Sequence, residues 1–519
     1  MMRGSTLSTF PLETRLTIVD SLDASFAPWS TDLRQQLLSR FPLPGGVEAI
    51  AETTLLEPKW KLSLLPSATN GIAKAALNGD HLESFSINGA PQMKYESGST
   101  TVHHGAFSND IVSQNLDVTL RENRRMTPDT HWQDVRHLAF HCRSPASYGP
   151  GDVLSIFPQN DKNDVDQLLE RMDWAEIADK PIMFTPTIAM NQGGRYPSPP
   201  VLLSGKTTTL RLLLTNHLDV TAIPRRSFFA LIAHFTNDPF HNDRLLEFTK
   251  PEYVDELYDY TTRPRRSILE VLQEFESVKI PWQWAANVFP ELRGRQFSIA
   301  SGGTLKKDPD GMARFELLVA IVKYKTVIRK IREGVCTRYL ANLTVGTELR
   351  VALQKGSLAI KRKETKRPVI MIGPGTGVAP MRSLAWERLQ LLRDMEDPAS
   401  IGSNLLFFGC RSKSADYFYS EEWGRLEAMM PLEVHAAFSR DQNHKVYVQD
   451  LIRQQSESVF RLLHESDGLV YVCGSSGKMP QAVRAALIDV FVERGMEQQA
   501  AKGYLEAMEK EGRYKQETW

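Results

Sequence analysis

The sequence is poor in cysteine, holds no long hydrophobic run and carries no net charge. Each of these absences excludes something. Only four cysteines occur in 519 residues (Cys142, Cys336, Cys410 and Cys473) and none sits in a CxxC pair. Neither a disulfide framework nor a zinc ribbon is expected, and no other grouping suggests a metal site. No stretch approaches the ~18 apolar residues of a spanning helix, so no membrane anchor is expected. The N-terminus, MMRGSTLSTFPLETRL, lacks the compact apolar region of a secretory signal. Lys plus Arg (62) cancels Asp plus Glu (62), which argues against a protein that coats nucleic acid or anionic membrane. A reducing, cytoplasmic setting is expected. What is present, 42% hydrophobic and 24% charged residues, suits globular cores. The length suggests roughly three domains at ~150 residues each.

The chain has no internal repeat and no long low-complexity tract. Residues 1–80 read as irregular, punctuated by the PLP at 42–44, Pro58, Pro66 and Gly71. One amphipathic stretch at 29–41 carries Leu33, Leu37 and Leu38 at helical spacing. From about Ser108 the pattern turns to strands, at 111–120, 135–142 and 152–157, separated by Gly, Pro and Asn turns; this suggests an antiparallel barrel or sandwich. Helical recurrence comes next at 164–172, 208–216, 226–235 and 267–275, and strand patterns resume at 296–300 and 315–324. The helical block, about 160–290, therefore reads as an insertion into one β domain spanning 108–360. Beyond the basic linker 361–367, strands at 368–372, 404–408, 432–438 and 469–473 alternate with helices at 381–393, 421–429, 447–453 and 480–494. That is a doubly wound parallel sheet over 366–519, and the fold class expected is α/β plus β-barrel.

Several motifs carry chemistry. GPGTGVAP at 373–380 joins an apolar strand to a helix, with Gly375, Thr376 and Gly377 at the turn. Glycines let a backbone approach a pyrophosphate, and a helix N-terminus offers free N–H groups and partial positive charge. The spacing is GxGxG rather than GxGxxG, and a plain structural turn fits the same residues. SGKT at 204–207 resembles the end of a Walker loop, but Pro200 stands where glycine is needed, so no nucleoside triphosphate site is expected. In RQFSIAS, 295–301, a strand presents Arg295, Gln296, Phe297 and Ser298; these could pair a phosphate, stack on a flat ring and hydrogen-bond its edge. Gly334, Val335, Cys336 and Thr337 open a helix that could hold a second phosphate, or simply be capped there. Ser439 and Arg440, then Lys445, Val446, Tyr447, Val448 and Gln449, come after the third strand of the parallel sheet. A hydroxyl, a guanidinium and an ammonium there suit a 2′-phosphate, and Tyr447 could stack on adenine; a solvated basic turn fits as well. His103-His104 reads as surface and Cys473 as a core thiol. Trp519, the last residue, reads as packing or fraying when taken alone.

Order and spacing change these readings. RQFSIAS, GVCT, GPGTGVAP, FGCR (408–411), SR…KVYVQ, YVCGSSGKM (471–479) and a terminal tryptophan form a series that resembles the reductase half of the diflavin reductases. That group includes cytochrome P450 reductase, nitric oxide synthase, the sulfite reductase flavoprotein and methionine synthase reductase. The resemblance runs from about Ser108 to Trp519. It is closest to the NADPH-dependent branch that serves cytosolic iron–sulfur protein assembly, through Phe297 in place of tyrosine, HWQDVRHL (131–138), RPRRSILEVL (263–272), KIREGVCT (330–337) and the ending ETW.

The resemblance implies a ferredoxin–NADP-reductase-type FAD barrel with a helical connecting insertion, then an NADP domain. It implies that Arg295, Phe297 and Ser298 contact FAD phosphate, isoalloxazine and N5. Gly334–Thr337 would hold the pyrophosphate, and Arg263 would also reach FAD. Thr376 would touch the NADP pyrophosphate, while Ser439, Arg440, Lys445, Tyr447 and Gln449 would bind the 2′-phosphate and adenine. Trp519 would cover the flavin. Ser298, Cys473 and Glu517 match positions that assist hydride transfer, with Glu517 standing where P450 reductase has Asp. The electron acceptor implied is an iron–sulfur protein of the anamorsin type. The segment 26–46 resembles only the stretch just C-terminal to a flavodoxin domain, so residues 1–80 are expected to be a remnant or linker. FMN is expected only with that missing domain. A single-flavin reductase feeding a separate acceptor, and a non-catalytic interaction protein retaining cofactor sites, remain open on the sequence.

Overall fold

The computed structural model describes residues 22–42, 54–58, 60–65, 113–187, 208–356, 358, 364–395 and 401–519. SGKT at 204–207, His103-His104 and most of 1–80 lie outside the described residues. Contacts part the chain into two compact units: Met1–Ser84 with Asn160–Leu292 and Lys325–Arg332, and Phe85–Gln159 with Arg293–Tyr324 and Glu333–Trp519.

In the first unit the apolar recurrence produces helices Lys162–Arg171, Leu210–Asn216, Arg226–Ile232 and Ile268–Glu274. Leu168, Leu213, Phe229 and Leu272 meet in its core. Side-chain caps fix three of the starts: Asp161 accepts from Asn163 N, Thr209 from Leu212 N, and Ser267 from Glu270 N in a reciprocal capping box. Three features differ from the sequence reading. Residues 1–80 are not wholly irregular, since Leu22–Arg40 is helical, longer than the 29–41 stretch that periodicity marks. Trp60–Leu64 also pairs antiparallel with Pro181–Pro186, which in turn pairs with Thr208–Thr209. Strands of two to six residues are too short for an alternation signal, and prolines at both ends of the 181–186 run read as turns. The helix Pro239–Glu247 has no apolar periodicity to mark it, because only Leu245 of its nine residues is buried.

The second unit opens with β1 (Ser113–Arg125), β2 (Val135–Cys142), β3 (Val153–Ile156), β4 (Arg295–Ser298) and β5 (Ala313–Ala320). Helix α1 (Val335–Asn342) and β6 (Glu348–Gln354) come next. The spatial order is β4-β3-β6-β1-β2-β5, antiparallel throughout. Leu116, Val118, Leu120, Phe140, Phe315, Leu317 and Val351 fill the inside. A bridge between Ile299 and Leu317, and Ala300 N donating to Glu316 O at 2.7 Å, join the two edges into a barrel. The whole segment Asn160–Leu292 departs between β3 and β4, which are hydrogen-bonded neighbours.

The rest of this unit alternates: β7 (Val369–Ile372), α2 (Val378–Asp394), β8 (Asn404–Cys410), α3 (Ser420–Met429), β9 (Leu432–Phe438), α4 (Val448–Gln454), β10 (Leu469–Gly474), α5 (Met479–Glu493), α6 (Gln498–Lys510) and β11 (Tyr514–Thr518). The strands run parallel in the order β9-β8-β7-β10-β11. Val369 and Met371 face one layer of helices and Ile370 and Ile372 the other, so all four residues of β7 are buried. From β7 the chain winds outward to β8 and β9, then returns to β10 on the other side. The carboxyl ends of β7 and β10 therefore flank the switch point where ligands of open α/β sheets bind. Strand β11 and helix α6 go beyond the elements that the sequence pattern marks. Tyr514–Thr518 is an edge strand of mainly polar sequence, without the apolar signal of the central strands.

Candidate active site

At the switch point, the GPGTG turn leaves β7 as one 3-10 turn, Gly375–Gly377, and runs straight into α2. Gly375 adopts φ +59°, and nothing lies within 4 Å of where a Cβ would stand, so the backbone there is open to a ligand. Gly377 has the opposite role. A Cβ on it would collide with the Cys473 carbonyl, so glycine alone lets the turn close against the end of β10. No side chain caps α2; Val378 N–H turns back to Gly375 O and Pro380 has none, so of the first three residues only Ala379 keeps an N–H without a helical partner. Thr376 is half-buried between these glycines. The backbone cradle therefore fits a pyrophosphate.

Strand β11 brings the C-terminus here. Glu517 pairs with Cys473 and Thr518 with Gly474 across β10 and β11. Trp519 N donates to Gly474 O at 3.0 Å and Trp519 O accepts from Ser476 N at 3.0 Å, while its ring is half exposed. The structure thus brings together three of the four residues expected to be catalytic. Cys473 is fully buried; burial, reinforced by the Glu517 charge, pushes its thiol well above the usual value, so it is neutral at pH 7.

Beyond β9, Ser439 is buried, with both N and Oγ donating to Cys410 O at 3.0 and 3.2 Å. Arg440, Lys445 and Tyr447 are exposed, and Val446 and Gln449 half-buried. Tyr447 precedes α4, its N–H bonded to Asp450, and Val448 packs into the core behind. Two cations and an aromatic ring are thus presented on one turn, free for an anionic nucleotide end. The Ser439 hydroxyl is spent on Cys410 O and must rotate to serve a ligand.

The barrel holds the other set. Arg295 and Gln296 are exposed on β4, opposite Ile156 and Ser155, while Phe297 and Ser298 are half-buried opposite Leu154 and Val153. Gln296 bonds Gln354 at 2.5 Å. Phe297 packs on the cluster that includes Cys336 and Leu340 of α1. Burial raises the Cys336 thiol to about 12, opposed by the nearby Arg295 charge, which brings the start of α1 and the head of β4 within electrostatic reach. Gly334 precedes α1 with no side-chain cap, so the N–H groups of Val335, Cys336 and Thr337 are free of helical partners. Thr337 Oγ1 is occupied, donating to Gly334 O and accepting from Val322 N. An arginine, an aromatic face and an uncapped helix start fit a flavin dinucleotide. Arg263 belongs to the first unit, where it pairs with Asp259 at 3.2 Å.

Sequence reasoning missed the residues that join barrel and sheet. Ser301, last in RQFSIAS, shares a 2.6 Å hydrogen bond with Tyr148, and Ser301 O accepts from Ser383 of α2 at 2.8 Å. Arg382, Glu316, Tyr419 and His137 form a buried polar group nearby. The available signal was an arginine four residues into an otherwise apolar helix start.

An antiparallel flavin-type barrel leading into a parallel nucleotide sheet defines an FAD-dependent oxidoreductase that uses a nicotinamide coenzyme. Family models agree: an FAD binding domain matches residues 108–339 and an oxidoreductase NAD-binding domain residues 371–485. Among curated proteins, the NADPH-dependent diflavin oxidoreductase 1 of Aspergillus fumigatus is 48% identical over 516 residues, covering 96% of this chain and 77% of its own length. That of Emericella nidulans is also 48% identical, at 96% and 76% coverage, and that of Schizosaccharomyces pombe 38%, at 80% and 68%. The chain belongs to the NADPH-dependent diflavin oxidoreductase family. It is an NADPH-dependent, FAD-containing enzyme, and no described helix is long and apolar enough to cross a membrane.

Proposed function

We propose that NADPH docks across the switch point with its pyrophosphate on Gly375–Gly377 and Thr376 and its 2′-phosphate on Ser439, Arg440 and Lys445. Tyr447 stacks on adenine, and Val446, Val448 and Gln449 shape that end. Arg295 and the start of α1, Gly334 to Thr337, hold the FAD phosphates, and Phe297 and Gln296 flank the ring system. Trp519 occupies the nicotinamide position until coenzyme displaces it. FAD, when bound there, would supply the acceptor for hydride from NADPH and a means of releasing electrons singly. Ser298 donates toward flavin N5, and the Glu517 carboxylate favours the positive charge that develops on nicotinamide. Cys473 acts as a neutral thiol that shapes the pocket floor beside Glu517.

The observation that carries this reading is the C-terminal strand β11, which delivers Glu517 and Trp519 to the end of β10 beside the glycine turn. The acceptor would be an iron–sulfur protein of the anamorsin type in the cytoplasm, and FMN, where a flavodoxin-type domain supplies it, would carry electrons to it one at a time. What supports that acceptor is the likeness of HWQDVRHL, RPRRSILEVL and KIREGVCT to the iron–sulfur assembly branch. The test is anaerobic mixing of NADPH with the FAD-loaded chain, an FMN-bearing flavodoxin domain and an oxidised anamorsin-type protein. Reduction of the cluster only when all are present supports the route; flavin reduction without cluster reduction contradicts this acceptor.

A further inference from the structure

Arg382 is 4% exposed, four residues into α2, the helix that starts at the glycine turn. Its guanidinium is fully engaged. Nη1 donates to Glu316 Oε2 at 2.6 Å and to Ala300 O at 2.9 Å, and Nε and Nη2 grip Glu422 at 2.7 and 3.1 Å. The Tyr419 ring lies 4.4 Å from its face. Glu316 also takes Arg314 at 2.6 Å, so two cations balance two carboxylates. Tyr419 and His137 share a 3.0 Å hydrogen bond behind them. Burial disfavours charge on Arg382, but Tyr419, Glu316 and Glu422 outweigh it, and the cation is retained.

The partners matter more than the charge count. Ala300 lies two residues beyond Ser298, and Glu316 on β5 forms the barrel closure with Ala300. The next residue along α2, Ser383, donates to Ser301 O, and a Cβ on Gly302 would collide with the Ser383 carbonyl. One turn of the coenzyme helix is therefore fixed to the continuation of the flavin strand. A buried ionic cluster adds little stability over an apolar packing of the same shape, but its directional bonds select one geometry. Hydride transfer rewards that geometry, since a misplacement of about 1 Å costs about 100-fold in rate.

We propose that Arg382 is a positioning residue for the reaction: its planar fork sets the glycine turn and the RQFSIAS strand at the separation that hydride transfer requires. The inference rests on the placement of NADPH and FAD given above. Arg388, also buried in α2, donates among the described residues to the carbonyls of Thr365, Arg367 and Gly402, which ties the helix to its own sheet.

The test compares wild type with Arg382→Lys, which keeps the charge and loses the fork, and with Glu422→Gln, a milder loosening should the first fail to fold. Flavin content, affinity for 2′,5′-ADP, flavin reduction by NADPH in stopped flow and amide exchange over residues 296–303 and 378–386 are measured. The expected result is unchanged flavin content and 2′,5′-ADP affinity within twofold, at least tenfold slower flavin reduction, and faster exchange in both segments. Unchanged reduction in the folded variants overturns the proposal, as does a loss explained wholly by weaker FAD or 2′,5′-ADP binding. Wild type that binds FAD yet is not reduced by NADPH overturns the underlying placement instead.

Discussion

At the residue scale, the proposed function depends on which charges face ligand and which are spent internally. Arg440 and Lys445 are exposed beyond β9, where the proposed binding mode puts the 2′-phosphate that NADP alone carries. Arg440→Ala should weaken NADPH binding by about 1.5–3 kcal/mol, the range for a charge-assisted contact, and leave NADH unchanged. Equal losses for both coenzymes in a titration would remove the 2′-phosphate assignment. Arg295→Ala should give folded, largely colourless protein that partly regains flavin from added FAD; full occupancy on purification would show that β4 does not hold the phosphate. These side chains could be nominated from sequence because each stands in a compact motif whose chemistry is local. Arg382 was not, since its partners Glu316 and Glu422 lie 66 and 40 residues away and only the fold brings them together.

At the element scale, the glycine turn and the C-terminal strand define the site. Gly377→Ala would drive a methyl into the Cys473 carbonyl, so the turn must lift off β10 and coenzyme affinity should fall. Gly424 in α3 is a contrast, with nothing within 4 Å of its Cβ position; Gly424→Ala should stabilise by about 0.5–1 kcal/mol and leave binding unchanged. A melting curve and an NADP titration on both variants decide the matter. The opposite ranking would mean that the turn does not close on β10. Deleting Trp519 should raise NADH-dependent turnover relative to NADPH, because a covering ring hinders the weaker coenzyme most; a fixed ratio would make the residue mere packing. Periodicity revealed the central strands and most helices, because each buries a continuous apolar stripe. It did not reveal β11, whose position is set by pairing with β10 rather than by its own sequence.

At the scale of the whole molecule, the buried join between barrel and sheet should control acid stability. Burial holds His137 below its ordinary 6.5, with Arg382 and Arg124 adding to the effect and Glu316 and Glu122 opposing it. Burial alone would raise the Glu316 carboxyl, but Arg382, His137 and Arg314 hold it below the usual 4.5. Both groups bind fewer protons when folded than when unfolded. Their stability is therefore present above the unfolded values and lost as pH falls through the folded ones. The melting temperature should decline first below about pH 6.5, and His137→Gln should flatten that first decline while only weakening the one below pH 4.5, because Arg382 and Arg314 still face Glu316. An identical pH profile would place the acid-sensitive group elsewhere.

The most direct measurement is the visible spectrum of the purified chain, loaded with FAD and mixed anaerobically with NADPH. The account predicts about one FAD per chain and a flavin absorbance that bleaches with NADPH far faster than with NADH. A chain that takes up FAD but keeps its full absorbance under NADPH, or that is bleached equally fast by both coenzymes, would contradict it.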